Sequence, residues 1–438
     1  KEISLSVCIE SHCIEAAATS IRTYNASADP CEDFHKYACG KYELNQQMPE
    51  KLNEISPIPI LQLKIRDEFL IPLLTKTEFD SVEECAELIT KANENFYFKP
   101  YLNAKFAKWA NLDAEREDLR KLTGNIKQEA REFFQGATWL DDPTREKAIE
   151  KLDRMEIDVA GPNDMENGHK LVLKFQKDKG LLFGDPKKSH YENMVKISTF
   201  DKRWDFLYLT IDEKEEYRRT MYDLTHNNYH TVNAYNSISE NRIIISGGVS
   251  VPPFYFKPGV ELFSYARLGA VIGHEIMHGF DSDGSAKNAE GQVFDWWTTE
   301  TRQNYNKTQT CFKNQMYKFE YRGLKGDGIL TIGENFSDNM GFHLAFKAFR
   351  RLVDSGKMNI RISGLMDLSW QQIFFTAYAQ NWCFKVSDLD ALEKKHKVDV
   401  HPLLIFRIYS VISNSKEFPE AFNCSVGSPM NPIEKCHL

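Results

Sequence analysis

Val271-Ile272-Gly273-His274-Glu275-Ile276-Met277-His278-Gly279-Phe280-Asp281 is the stretch from which the rest of the chain is read. The apolar pattern of residues 262–280 predicts a helix that Gly279 ends. On that helix His274 and His278 are four apart and share a face. Two imidazoles on one face can hold Zn²⁺ through one ring nitrogen each. Glu275, beside the first of them, can reach a metal-bound water without entering the coordination sphere. Zinc lowers the pKa of such a water towards about 7, and the glutamate takes its proton as it attacks a carbonyl.

A catalytic zinc site needs a third protein ligand from another element and keeps one position open. Glu334-Asn335-Phe336-Ser337-Asp338 supplies it, at the start of a second helical pattern over 334–354. Glu334 and Asp338 again share a face. One carboxylate can bind the metal, and the other can accept the free N–H of a ligand histidine and fix its tautomer. His226 and His230 are also four apart, but they lack a companion glutamate and flank a poor helix former, Asn227-Asn228. They read as loop or packing residues, and His343 reads as packing on its helix.

Outward from these motifs, the 438 residues are 42% apolar with a net charge of −8. That length allows two or three domains, and the acidic balance gives no footprint for nucleic acid. No run of about 18 apolar residues is long enough to span a bilayer. The chain opens Lys1-Glu2-Ile3, as expected of a processed or trimmed fragment, so a leader or anchor stays open. Residues 60–155 read as helical, with Asp142-Pro143-Thr144 as a helix start, and 156–220 as mixed with short apolar runs such as Leu171-Val172-Leu173. Val232–Tyr235 and Arg242–Ile245 read as strands, and 369–383 as another helix. Nine cysteines, with no Cys-x-x-Cys pair, argue for disulfides and an oxidising compartment rather than a zinc ribbon. Sequons at Asn25, Asn306, Asn335 and Asn423 agree with secretion.

Together these blocks resemble the neprilysin / endothelin-converting-enzyme family of zinc peptidases. The resemblance rests on Val232-Asn233-Ala234-Tyr235, Pro252-Pro253-Phe254, Val271–Asp281, Asp295-Trp296-Trp297 and Gly333–Asp338. It continues through Ala379-Gln380-Asn381-Trp382-Cys383, Asp399-Val400-His401-Pro402, Phe406-Arg407 and Met430-Asn431-Pro432. Near the N-terminus Asp29–Phe34, Tyr37–Gly40 and Trp139-Leu140-Asp141 match as well. The resemblance implies that His274, His278 and Glu334 bind one Zn²⁺, that Glu275 is the general base, and that Asp338 orients His274 as Asp281 orients His278. It implies that Asn233 and the Ala234 backbone hold a substrate strand, that His401 stabilises the oxyanion, and that Arg407 binds a substrate carbonyl. It further implies a primed-side pocket of Val249, Phe254, Val271 and Trp382, which favours cleavage before large apolar residues. The disulfides it implies are Cys8–Cys13, Cys31–Cys424, Cys39–Cys383 and Cys311–Cys436. Cys85 is left over, either free or bridging to another chain.

The departures are specific. Only about 100 residues separate Cys39 from Trp139, so most of the family's inserted helical lobe, which roofs the site, is missing. Ser246-Gly247-Gly248 replaces the usual Pro-Ala-Gly, and Ala270 and Asn381 stand where larger apolar pocket residues are usual. The expected fold is mainly α (α+β): a thermolysin-like zinc-peptidase catalytic lobe with a small sheet beside the zinc helix, plus a reduced second helical lobe. The expected parts are an N-terminal segment over 1–60 tied to the catalytic lobe by disulfides, a remnant of the helical lobe over 61–135, and the catalytic lobe over 136–438. The expected activity is that of a secreted or extracellular zinc endopeptidase acting on peptides, with Asn25, Asn306 and Asn423 glycosylated. The rival reading is a non-catalytic peptide- or partner-binding protein that keeps the fold and the zinc site.

Overall fold

The computed structural model describes residues 7–49, 52–75, 99–162, 165–178, 223–224, 227–256, 259–356 and 361–437. Cys85 and His226 lie outside them. The chain is mainly α. The helices that position the site are α1 (Ser11–Ile21), α2 (Phe34–Cys39), α3 (Lys99–Trp109), α4 (Leu112–Gly136), α5 (Asp142–Arg154) and α6 (Met165–Asp178). They continue with α7 (Ala270–His278), α8 (Thr299–Met316), α9 (Ile332–Asp354), α10 (Trp370–Ala379) and α11 (Leu404–Asn414). Three strands, β1 (Glu156–Val159), β2 (Ala234–Ser237) and β3 (Arg242–Ile245), make the largest sheet described.

Local chemistry explains these boundaries. α4 buries Leu119, Leu122, Ile126, Ala130 and Phe134, the three- and four-residue spacing of one helix face. α5 starts where Asp141 caps it, accepting from the Thr144 amide, with Pro143 in the first turn. α10 opens on a reciprocal capping box between Ser369 and Gln372. β3, Arg-Ile-Ile-Ile, is buried at every position. It is the central strand, parallel to β1 (Val159 beside Ile245) and antiparallel to β2 (Ala234 beside Ile245), and its β-branched residues suit a strand covered on both faces. Leu171-Val172-Leu173 lies within α6, because a three-residue apolar run carries no period of its own.

One buried apolar cluster runs through Cys13, Phe34, Phe106, Leu119, Phe280, Phe342 and Phe418, so segments from both ends of the chain share a core. Four disulfides join them: Cys8–Cys13, Cys31–Cys424, Cys39–Cys383 and Cys311–Cys436. These are the four pairings implied by the resemblance. No described helix is long and apolar enough to cross a membrane.

Candidate active site

α7 and α9 cross through a contact that only glycine permits. A Cβ on Gly341 would lie 2.3 Å from the His274 nitrogen, and one on Gly273 would lie 2.6 Å from the Gly341 carbonyl. Backbone therefore meets backbone, and His274 and His278 on α7 come to face Glu334 in the first turn of α9. The imidazole Nε2 atoms lie 2.8 Å apart. Glu334 sits against both, Oε2 3.2 Å from His274 Nε2 and Oε1 3.4 Å from His278 Nε2.

The outer nitrogens are held by carboxylates. His274 Nδ1 is 2.9 Å from Asp338 Oδ1, and His278 Nδ1 is 2.7 Å from Asp281 Oδ2. Asp281 is fixed in turn by the amides of Asp283 and Gly284, both donating to Oδ1. Protons on the two Nδ1 atoms leave two Nε2 lone pairs pointing at one another beside an anionic oxygen, an arrangement relieved by a cation between them. Burial disfavours charge on both imidazoles, yet the surrounding carboxylates outweigh it and raise both pKa values. Burial would also raise Glu334, but His274 and His278 beside it, where their Nε2 atoms carry protons, hold its carboxyl far below the ordinary range. The donor set, two imidazoles and a carboxylate with ligand atoms within 4.8 Å of one another, fits Zn²⁺ with a position left open.

Glu275 is not among these donors. It is buried, and burial pushes its carboxyl up against the opposing pull of His274 and His278. Its main-chain carbonyl accepts from Asn236 Nδ2 at 2.7 Å, which hooks β2 to the histidine helix. A cleft of about 1000 Å³ opens over the cluster. Glu275, Asn233, Ala234, Val249, Phe254, Val271, Trp382, His401 and Arg407 all line it, together with His274, His278, Glu334 and Asp338. His401 stands half-exposed across from the cluster, with Nε2 3.4 Å from Glu334 Oε2. Its Nδ1 is 2.7 Å from Asp399 Oδ1.

Arg407 occupies a place the sequence did not suggest. Its Nε donates to Asp338 Oδ2 at 2.7 Å and its Nη2 to Asp338 Oδ1, while its guanidinium lies 3.8 Å from the Trp382 ring centre. Two of its three nitrogens thus grip the carboxylate that holds His274. Asp399, Asn236 and this clasp were missed in the sequence. Only Asp399 carried a local signal, two residues before His401. His230 packs edge-on to Phe106 and is not among the clustered ligand residues. Among the sequons Asn306 and Asn423 are exposed, Asn25 is half-buried, and Asn335 is 1% exposed.

Comparison with known proteins agrees with this geometry. Residues 233–438 match peptidase family M13. Human neprilysin is 30% identical over 370 residues, spanning 83% of this chain and 46% of neprilysin. Neprilysin-1 of Caenorhabditis elegans is 31% identical over 361 residues, 82% of this chain and 45% of its own. The chain thus spans about half the length of these curated relatives. Among solved structures, the zinc metalloprotease ZMP1 of Mycobacterium tuberculosis in its open state superposes with a TM-score of 0.61 at 21% identity, over 84% of this chain and 54% of that one. A chain of the Haemonchus galactose containing glycoprotein complex reaches 0.70 at 14% identity and covers 99% of this chain and 100% of its own. The histidine–glutamate cluster and the matched residues identify 233–438 as a peptidase family M13 domain, in a chain that fits a neprilysin-like zinc metallopeptidase.

Proposed function

We propose that this chain is a zinc-dependent endopeptidase that hydrolyses extracellular peptides on the amino side of large apolar residues. The observation that carries the reading is the pair of facing imidazole nitrogens closed by Glu334, with Glu275 one residue from His274 and outside the donor set. Zinc, when bound, supplies a Lewis acid that polarises a carbonyl and acidifies water.

The chain's own residues do the rest. Glu275 takes a proton from the attacking water and returns it to the leaving amine. His401, neutralised by Asp399 when charged, donates through Nε2 to the developing oxyanion. β2 pairs with β3 along one edge and lines the cleft along the other, so an extended peptide can add to it as a further strand, with Asn233 at its entrance. Val249, Phe254, Val271 and Trp382 then receive the side chain that follows the scissile bond. The four disulfides and the exposed Asn306 and Asn423 support an extracellular location and glycosylation there.

A quenched peptide with an apolar primed residue tests this. Zinc-loaded protein should cleave it, a chelator should abolish cleavage and lower the melting temperature, and Glu275→Gln should lower kcat by about 100-fold or more with zinc content unchanged. Cleavage that survives Glu275→Gln would sink the assignment.

The rival, a partner-binding protein that keeps the site without turnover, draws support from the end-to-end match to the chain of the Haemonchus glycoprotein complex. Intact peptide recovered from a tight complex after long incubation would favour it.

A further inference from the structure

Lys151, on α5, is 1% exposed. Lysines are rarely buried this fully, because taking an ammonium out of water is costly unless its surroundings compensate it. Its Nζ donates to the Gly284 carbonyl at 2.7 Å and to the Lys287 carbonyl at 2.8 Å, and lies 5.5 Å from the Phe280 ring centre. Both acceptors are uncharged main-chain oxygens. Burial lowers its pKa from 10.5 to about 8, with the Asp281 carboxylate opposing that shift and Lys287 adding to it, so the group is still an ammonium at pH 7.

The segment it holds supports one end of the metal cluster. Gly284 begins a single helical turn, Gly284–Ala286, that packs directly on the end of α7. A Cβ on Gly284 would lie 2.0 Å from the His278 carbonyl oxygen. The peptide group whose oxygen Lys151 engages carries the Ser285 N–H at its other end, and that N–H donates to the Asp281 carbonyl at 2.9 Å. The Gly284 amide donates to Asp281 Oδ1 at 2.8 Å. Asp281 Oδ2 in turn meets His278 Nδ1 at 2.7 Å. Two short paths through Gly284 therefore lead from Nζ to Asp281, one to its carbonyl and one to its carboxylate. The same segment is tied from behind. Trp296 Nε1 donates to the Lys287 carbonyl at 2.9 Å, and Asn241 Nδ2 joins the Lys151 carbonyl to that of Ala289.

We propose that Lys151 is a positioning residue of the metal centre, fixing Asp281 through Gly284 and, through Asp281, the tautomer and orientation of His278. An ammonium supplies both donors and also sets positive charge near Asp281, which favours the carboxylate form. An anionic Asp281 keeps the proton on His278 Nδ1 and leaves Nε2 for a metal. Lys151 thus does for His278, at one remove, what Arg407 does for His274. This rests on the reading that His278 is a zinc ligand.

Co²⁺ taken up in place of zinc by the full chain tests the proposal. Each ligand histidine then gives a hyperfine-shifted, exchangeable N–H resonance, which Asp338→Asn assigns to His274 and Asp281→Asn to His278. In Lys151→Met the His278 resonance should shift or vanish by exchange with water while that of His274 keeps its place. Zinc affinity in competition with a chelator should fall by about tenfold, the low end for loss of a group that supports a ligand. Lys151→Gln, which keeps an amide donor without the charge, serves the same comparison if the methionine variant does not fold. A lower urea midpoint with both resonances and zinc affinity unchanged would overturn the proposal, and so would equal disturbance of the two histidines. Failure of the unmodified protein to take up Co²⁺ would overturn the metal site and the proposal together. A selective His278 effect in a protein that cleaves no peptide would remove the peptidase reading and keep the role of Lys151.

Discussion

Asp338 serves two partners at once. It holds His274 at Nδ1 on one side and is gripped by Arg407 on the other, all within the buried interior. Removing one member of a buried pair leaves the other charge uncompensated, at a cost of about 3–5 kcal/mol. Arg407→Met should therefore lower stability by about that amount in urea unfolding. Asp338→Asn should weaken zinc binding by about 10- to 100-fold in competition with a chelator, because the histidine loses the acceptor that fixes its tautomer. Zinc affinity unchanged in Asp338→Asn would show that His274 is oriented by packing alone. The ligand residues were legible because each pair lies four apart on one helix. The Arg407 clasp was not, because it joins residues 69 apart in sequence across two helices, and spacing along one helix says nothing about what faces it.

At the level of elements, the crossing of α7 and α9 is set by Gly273 and Gly341. Gly341→Ala places a methyl against the backbone nitrogen of His274, and backbone cannot rotate aside as a side chain can. The helices must separate, at a cost of about 1–3 kcal/mol for an overpacked interior, and Glu334 moves away from the histidine pair. The expected result is a folded protein by circular dichroism that retains little zinc after dialysis. Full zinc occupancy in Gly341→Ala would show that the crossing has slack. α4 was readable because it repeats one apolar face over several turns, and α7 and α9 because each carries a pair of polar residues four apart on one face. α6 was obscured by its short apolar run. The glycine contact was invisible in sequence, where Gly273 and Gly341 sit within helical patterns as ordinary small residues.

Across the whole molecule, stability should respond to mild acid. His35 lies between the disulfide cysteines Cys31 and Cys39, and His343 lies on α9. Burial lowers both pKa values from 6.5 to about 4, partly opposed at His35 by Asp33 and reinforced at His343 by Lys347. Between these values the unfolded chain binds more protons than the folded one, so stability is lost as pH falls from 6.5 towards 4. Above 6.5 these two groups contribute no slope. Urea midpoints at pH 7 and pH 5 carry this contribution alongside the opposing one from His274 and His278, whose pKa values are raised, so the loss on acidification should be smaller in a His35→Gln, His343→Gln double variant than in the unmodified protein. An equal difference in the double variant would assign the acid response to other groups.

The bond between Cys39 and Cys383 closes a covalent ring that contains the histidine–glutamate cluster, the sheet and the main site helices. A single peptide-bond cut anywhere between those cysteines opens the ring without releasing a fragment. Nicked protein should migrate as one species on a denaturing gel until thiol is added and only then divide into two bands. Two bands before reduction would mean that neither Cys39–Cys383 nor Cys31–Cys424, which encloses the same segment, is closed in solution.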